Sequence, residues 1–185
     1  MTEADLIARA RAGDDGAWET LTHQHQDAVF RLAYLILGDP ADADDAAQET
    51  FIRAYRALDR FDATRALRPW LFSIVANTAR NRLRSVGRYL SALQRFLRAD
   101  PASFAPVTNP EPGESQLLWQ AVRKLGATDQ EIIYLRYFSE LSEAETAEAL
   151  SIATGTVKSR THRALERLRS VIENDFPGLR ESGLG

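Results

Sequence analysis

The strongest candidates for a functional site in this sequence are hydroxyl and basic side chains near its C-terminal end. They are spaced by three or four residues, which places them on one face of a helix, while apolar residues such as Val157 and Leu168 recur on another. Arginine can grip guanine in the major groove or clamp a phosphate with its planar fork. One face of this helix can therefore pack while the other docks on DNA. The side chains of the docking face are Thr156, Ser159, Arg160, Arg163 and Arg167.

The segment before this helix supplies the context that DNA binding requires. Ser142 with Glu145 forms a capping-box pattern, which predicts a short helix over 143–150. A tight connection and a long helix over 154–172 follow, as in a helix-turn-helix. An ordinary solvated helix would show the same basic spacing, and the preceding helix and turn favour DNA binding over it.

Helical spacing of apolar residues continues through almost the whole chain, and alternating strand patterns are absent. The sequence therefore predicts an all-α protein. Gly38 is expected to end the second helix, Asp39 to cap the third, and a fourth is expected to begin near Pro69. Near the C-terminal end, helices are expected over 115–125 and 129–138, the latter from a second capping box formed by Thr128 and Glu131.

Proline divides the chain. Four prolines occur within 100–113, too many for a packed helix. We expect two small helical domains, at 1–86 and 114–185, joined by a flexible linker at 87–113. A short amphipathic helix over Arg88–Arg98 is possible just before the proline-rich stretch.

Charge is also divided into blocks, although the net charge is only −3. Residues 63–99 contain eight arginines and no acidic residue, and 156–170 form a second basic block. Two cationic segments in an acidic protein suggest two contacts with one polyanion. The acidic remainder is available for basic protein surfaces.

Other chemistries find little support. The chain has no cysteine and three histidines, of which His23 and His25 lie on different faces of one helix. Motifs for a nucleophile elbow, a P-loop or a zinc protease are missing. We therefore expect no metal, no cofactor and no enzymatic activity. Without a long apolar run or a secretory signal, membrane insertion is not expected and a cytoplasmic location is.

The residues of the predicted helix-turn-helix carry a family resemblance. The segment LSEAETAEALSIATGTVKSRTHRA (141–164) resembles region 4 of bacterial sigma factors. LuxR-type output domains share part of this segment, so the first half of the chain is needed to distinguish a sigma factor from a LuxR-type regulator. There, RLAYLILGDPADADDAAQETFIRAYRA (31–57) and RPWLFSIVAN (68–77) resemble region 2 of the extracytoplasmic-function (ECF) sigma factors.

This resemblance implies an ECF-type sigma factor, which binds core RNA polymerase, directs it to promoters and assists promoter melting. The third helix would contact the clamp helices of the polymerase β′ subunit, and the β subunit would be a further partner. Acidic residues at helical spacing suit a basic partner helix, although a solvated acidic face has the same pattern. The residues assigned to this contact are Asp42, Asp45, Gln48, Glu49 and Arg53.

The resemblance also assigns two DNA-binding sets. The loop over 59–67 would cradle a flipped base of the minus-10 element, and the next helix would follow the strand. Trp70 is assigned to the core, although Trp70 and Phe72 are the aromatic candidates for base stacking. The minus-10 residues are Arg60, Asp62, Arg65, Asn77, Arg80, Asn81 and Arg84. The minus-35 residues are Thr156, Lys158, Ser159, Arg160, His162, Arg163 and Arg167.

Two alternatives stay open at this point. One is a protein-interaction module that mimics a sigma factor and titrates its regulator, against which the arginines on both DNA faces argue. The other is a regulator that binds DNA without polymerase, against which the segment from Asp45 to Glu49 argues. A possible anti-sigma factor completes the expected partners.

Overall fold

The structure, a computed structural model, describes residues 2–97, 114–177 and 179, with side chains for 2–85, 116–177 and 179. All regular secondary structure in these ranges is helical, which confirms the predicted all-α fold. The proline-rich part of the predicted linker lies outside the described residues. The helices on either side of it form an N-terminal and a C-terminal domain.

The N-terminal domain contains four α-helices and a single 3-10 turn at Leu58–Arg60. The predicted boundaries of the second and third helices are confirmed: Gly38 ends one in the left-handed conformation with φ of 77°, and the Asp39 side chain caps the next. The four helices are α1 (Glu3–Arg11), α2 (Asp15–Leu37), α3 (Pro40–Ala57) and α4 (Leu67–Leu97).

The core of this domain explains why these helices pack together. Leu21 and Leu32 of α2 and Leu71 and Val75 of α4 are at most 1% exposed. Fully burying each such side chain stabilises the fold by about 1.5–3 kcal/mol. Small alanines on α3, Ala43 among them, let that helix approach α2 and α4 closely.

Helix α4 is longer than the sequence pattern predicts. It continues without a break to Leu97, so the backbone of residues 88–97 belongs to α4 and does not form a separate short helix. The acid-free arginine segment begins in the loop before α4 and continues along it. The division at residue 86 stays a prediction.

The C-terminal domain contains α5 (Glu114–Arg123), α6 (Ala127–Ile133), α7 (Glu143–Leu150) and α8 (Thr154–Asp175). The capping box of α7 is confirmed: the Glu145 backbone N–H donates to Ser142 Oγ at 3.2 Å, and the Ser142 N–H donates to Glu145 Oε2 at 2.8 Å. These bonds lower the pKa of Glu145.

The second predicted capping box is wrong. Helix α6 begins at Ala127 after Gly126, so Thr128 already lies in its first turn and no side chain caps it. The Glu131 side chain does not return to the helix end either, because it is buried against α4. A π-helical turn, Tyr134–Phe138, then continues α6.

The connection between α7 and α8 is as tight as predicted. Ser151 adopts the left-handed conformation with φ of 54°, and the N–H of Ile152 donates to the carbonyl of Ala147 at 3.0 Å. The left-handed Ser151 and this hydrogen bond together turn the chain within three residues. Helices α7 and α8 form the predicted helix-turn-helix.

Candidate nucleic-acid interface

Helix α8 has the two faces that the sequence predicts. Val157, Ala164, Leu168 and Ile172 are buried against the rest of the C-terminal domain. On the other side, Thr156 and Arg160 are half-buried and the remaining predicted residues are exposed. The exposed residues of this basic face are Lys158, Ser159, His162, Arg163 and Arg167.

Local contacts orient this basic face. Ser159 Oγ donates to the Thr156 carbonyl at 3.1 Å, and Arg163 Nε donates to the Ser159 carbonyl at 3.2 Å. Arg167 reaches out of the helix and bonds Asp129 of α6 at 2.5 Å. Arg167 thus fixes α8 against α6 as well as contributing positive charge.

The predicted minus-10 residues lie on α4 and on the loop before it. Asn77, Asn81 and Arg84 are exposed on one face of α4, where Arg80 donates to Asn77 Oδ1 at 2.7 Å. In the loop, Asp62 accepts hydrogen bonds from the N–H and hydroxyl of Thr64. These bonds lower the pKa of Asp62.

The remaining two loop residues differ in their surroundings. Arg60 is exposed at the end of the 3-10 turn. Arg65 is also largely exposed, but its guanidinium forms an ion pair with Glu148 of α7 at 2.8 Å. The loop therefore already contacts the C-terminal domain.

Aromatic residues near this loop are committed to packing. Trp70 is half-buried with its ring centroid 4.6 Å from that of Phe61, which agrees with its assignment to the core. Phe72 is 1% exposed and lies beneath the Arg68 guanidinium. Phe72 therefore cannot stack on a base in this conformation.

The predicted polymerase-binding residues of α3 divide into two groups. Asp42 and Asp45 form ion pairs with Arg82 of α4, at 3.2 and 2.7 Å. Gln48 donates to Asp44, and Glu49 pairs with Arg53 along the exposed surface. Sequence reasoning missed Arg82, for which its place in the acid-free segment was the available signal.

An apolar surface that the sequence did not predict adjoins these residues of α3. Phe30, Tyr34, Ile52 and Tyr55 of α2 and α3 are each 37–47% exposed. Phe30 and Ile52 also line a shallow groove between the two helices together with Gln48. We call these four apolar residues, with Gln48 and Glu49, the α2–α3 surface.

The two domains meet along a seam that we call the interdomain seam, where α4 packs on α7. Arg68 donates to the Ser139 carbonyl at 3.0 Å. The Arg123 guanidinium lies against Gly38 at the end of α2, where a Cβ would come within 2.7 Å of it. A positive group at this helix end interacts favourably with the helix dipole.

A cavity of about 380 Å³ opens on the interdomain seam and is lined in part by Arg80, Arg84, Arg160 and Glu131. Burial raises the pKa of Glu131, and nearby Arg80 and Arg160 oppose that rise. Burial also raises the pKa of Tyr134 to about 12. Both groups belong to the C-terminal domain side of the seam.

Within the described ranges, no three histidine, aspartate or glutamate side chains are placed to hold a metal ion. None of the helices there is both long and apolar enough to cross a membrane.

Comparisons with known proteins identify the two domains and their order. Residues 21–89 match the family model of sigma-70 region 2, and residues 115–168 match that of sigma-70, region 4. The chain is 32% identical to the ECF RNA polymerase sigma factor SigW of Bacillus subtilis, covering 91% of this chain and 95% of that protein. It is 31% identical to the ECF RNA polymerase sigma-E factor of Escherichia coli, with coverage of 94% and 95%.

Solved structures give the same result. The chain resembles CnrH in complex with the cytosolic domain of CnrY, with a TM-score of 0.69, 27% identity, and coverage of 94% of this chain and 98% of that one. It also resembles the sigma factor RpoE of Bartonella quintana in complex with the anti-sigma factor NepR, with a TM-score of 0.67, 25% identity, and coverage of 85% and 97%.

Two helical domains that match regions 2 and 4 define a bacterial sigma factor of the sigma-70 class. Within that class, the chain belongs to the ECF RNA polymerase sigma factors. Such proteins direct polymerase to promoters and are not enzymes.

Proposed function

We propose that this chain binds core RNA polymerase through the α2–α3 surface and reads promoters with two separate DNA-binding faces. The observation that carries this proposal is the presence of three distinct surfaces on one chain. Helix α8 presents a basic face, α4 presents arginines and asparagines, and α2 with α3 presents exposed apolar and acidic residues. A protein that only binds DNA has no need of the third surface.

The basic face of α8 is the proposed minus-35 contact. Its arginines can bond guanine edges, while Lys158 and His162 are placed to meet phosphates. The helix-turn-helix geometry presents the first turns of α8 to the major groove. In this arrangement Arg160 and Arg163 are the main candidates for reading sequence.

The loop before α4 and the exposed face of α4 form the proposed minus-10 contact. Promoter melting requires bases to be held outside the duplex, and each base stacked or pocketed on a protein recovers roughly 1–3 kcal/mol. Asn77 and Asn81 can bond bases, while Arg80 and Arg84 can follow the strand backbone. The hydrogen bonds between Asp62 and Thr64 give the loop a defined shape before DNA arrives.

The α2–α3 surface is the proposed contact with the β′ clamp helices. Gln48 is exposed and lines the apolar groove, and half-buried Glu49 follows it on α3, so a basic amphipathic helix fits both features. Asp42 and Asp45 support this surface from one side by pairing with Arg82. The protein then acts in the cytoplasm, where the polymerase is.

An anti-sigma factor is a further proposed partner. The structures of CnrH and RpoE to which this chain is similar are complexes with CnrY and with the anti-sigma factor NepR. The exposed apolar residues of the α2–α3 surface are suited to binding such a protein in competition with polymerase.

Binding to core polymerase tests the proposal directly. Size-exclusion chromatography of the chain mixed with core polymerase should give one complex, and that complex should bind promoter DNA that core polymerase alone does not retain. A chain that binds promoter DNA but never joins the polymerase would instead support the DNA-only regulator.

A further inference from the structure

Helix α1 bonds both ends of the loop that belongs to the proposed minus-10 contact. Glu3, in the first turn of α1, accepts a hydrogen bond at Oε2 from the Leu67 N–H at 3.1 Å. Arg11, in the last turn, donates from Nε to the Leu58 carbonyl at 3.0 Å and from Nη2 to the Phe61 carbonyl. All three bonds go to backbone atoms, so they act on the path of the chain itself.

The bonded residues are also the ones that anchor this loop in the core. Leu58, Phe61 and Leu67 are 2%, 6% and 0% exposed, whereas the predicted minus-10 residues between them are exposed. We call residues 59–67 the minus-10 loop. The backbone positions of the three anchors determine where the exposed side chains of the minus-10 loop point.

The start of α4 takes its acceptor from α1. Ala66 precedes α4, and an alanine side chain has no oxygen to accept from the N–H groups of the first turn. Glu3 supplies that oxygen, and its negative charge suits the positive end of the helix dipole. His25 of α2 has its Nε2 3.0 Å from the other carboxylate oxygen of Glu3, and its side chain is only 12% exposed. Both oxygens of Glu3 are therefore held.

Helix α1 is itself fixed in the domain. Glu3, Ile7 and Arg11 are spaced by four residues and lie along one stripe, in which Ile7 is 1% exposed. A capping box starts the helix: the Thr2 N–H donates to Asp5 Oδ2 at 2.8 Å, and the Asp5 N–H donates to Thr2 Oγ1 at 3.1 Å. The two ends of the stripe are about 12 Å apart along the helix axis. One helix thus reaches both ends of the minus-10 loop.

A site for a single base needs this kind of support. Binding side chains must be held within about 0.5 Å of their productive geometry, and loops do this less well than helices. The middle of the minus-10 loop is shaped by its own bonds, from the Arg65 N–H to the Asp62 carbonyl at 3.0 Å and from Thr64 to the Asp62 side chain. Its ends are shaped by α1.

We propose that Glu3 and Arg11 are positioning residues for base recognition, which act through the backbone of the minus-10 loop. This inference rests on the proposed function of that loop. When either residue loses its bonds, the exposed side chains of the loop remain present but are misplaced. The chain then discriminates less between bases of the minus-10 element, while its contacts with polymerase and with the minus-35 element are kept.

The first test compares Arg11→Lys with Arg31→Lys. Lysine keeps the positive charge but lacks the planar fork that bonds two carbonyls, and Arg31 is exposed on α2. Complexes with core polymerase transcribe barcoded templates made from the DNA upstream of this protein's own gene, each changed at one position. We expect Arg11→Lys to reduce discrimination between the best and worst bases about fivefold at the base held by the loop, and at most about twofold in the minus-35 element. Arg31→Lys should match the parent at both.

Two results of this comparison would overturn the proposal. A base profile of Arg11→Lys that equals the parent's would show that its bonds do not set the geometry of the loop. A uniform loss across all templates would assign Arg11 to a phosphate contact or to stability alone, since neither carries sequence information.

Hydrogen exchange followed by NMR tests the other end of the loop without DNA. Glu3→Ala removes the acceptor of the Leu67 N–H and should speed exchange of that amide about tenfold. Glu3→Gln keeps an oxygen that can accept the same bond, so it should restore slow exchange. The amide of buried Leu32 in α2 is the internal reference for the stability of the domain. No acceleration at Leu67, or an equal one at Leu32, would count against the proposal.

The parent complex separates this inference from the function on which it rests. Arg11→Lys and Glu3→Ala should both bind core polymerase as the parent does, because Glu3 and Arg11 lie outside the α2–α3 surface. A parent complex without a transcript, or without a base preference in the minus-10 element, would reject the proposed function. A parent preference that Arg11→Lys fully retains would reject the positioning role alone.

Discussion

Single arginines on α8 determine whether the proposed minus-35 contact reads sequence. Replacing exposed Arg163 with alanine should weaken recognition of the upstream element by about 1–3 kcal/mol if its fork bonds a base edge. Arg169→Ala is the matched control, because Arg169 is exposed on the same helix but lies nearly two turns farther from the first turns of α8, which face the major groove. Promoter-binding titrations of the polymerase complex would measure both. Unchanged promoter preference in Arg163→Ala would remove that role.

Glu131 is expected to make the stability of the folded chain depend on pH. Burial is the main cause of its raised pKa and outweighs the attraction of Arg80 and Arg160. A carboxyl whose pKa is higher in the folded chain contributes stability that is fully present below the unfolded pKa of about 4.3 and is lost as pH rises through the folded pKa. Ionised Glu131 therefore costs stability near pH 7.

Glu131→Gln stays neutral at every pH and should avoid this loss. We expect it to unfold at the same or a higher temperature than the parent chain at pH 7, with the difference shrinking toward pH 4. Thermal unfolding by circular dichroism across that range would measure it. A variant clearly less stable at pH 7 and equal at pH 4 would show that the ion pair with Arg80 outweighs burial.

The sequence predicts the position of those side chains whose role depends only on contacts and spacing within their own helix. The face from Thr156 to Arg167 follows from spacing alone, and the structure exposes most of it. Arg82 could not be identified, because its partners Asp42 and Asp45 lie about forty positions earlier and meet it only when α3 packs on α4.

The side-chain cap at the start of α7 is expected to contribute measurably to the stability of the chain. Ser142→Ala removes the side chain that accepts from the start of α7 and should destabilise the chain by about 1 kcal/mol. Thr128→Ala is the matched control, because Thr128 belongs to the wrongly predicted capping box and is exposed. Thermal unfolding should show a drop for the first variant only; equal drops would contradict this view of the two helix ends.

The capping box predicted at Thr128 is wrong because a local sequence pattern does not determine which partner a side chain finds in the folded chain. Ser142 and Thr128 have the same spacing to a glutamate, yet only Glu145 bonds back to its helix end. Glu131 instead pairs with Arg80 of another domain. The π-helical turn after α6 likewise has no local signal that helical periodicity would reveal.

Two polar side chains of α3, Gln48 and Glu49, are the proposed polymerase contact. Gln48→Ala with Glu49→Ala should lower affinity for core polymerase while leaving thermal unfolding nearly unchanged, since an exposed pair such as Glu49 with Arg53 contributes about 0.3–0.5 kcal/mol. Glu19→Ala, on an exposed part of α2, is the control. Titration of labelled chain with core polymerase measures the effect. Intact affinity would place the polymerase contact elsewhere.

For the whole molecule, the sequence predicts two helical domains but not their relative placement. Prolines and charge blocks separate the domains, whereas the seam depends on pairs such as Arg65 with Glu148, which lie far apart in the chain. Helical periodicity says nothing about which charged faces meet. The contacts of the interdomain seam are therefore visible only in the structure.

The most direct test of the account is run-off transcription with core RNA polymerase on the DNA upstream of this protein's own gene. We expect a defined transcript that requires the protein and is lost in Gln48→Ala with Glu49→Ala. A chain that neither binds core polymerase nor supports any transcript would contradict the account.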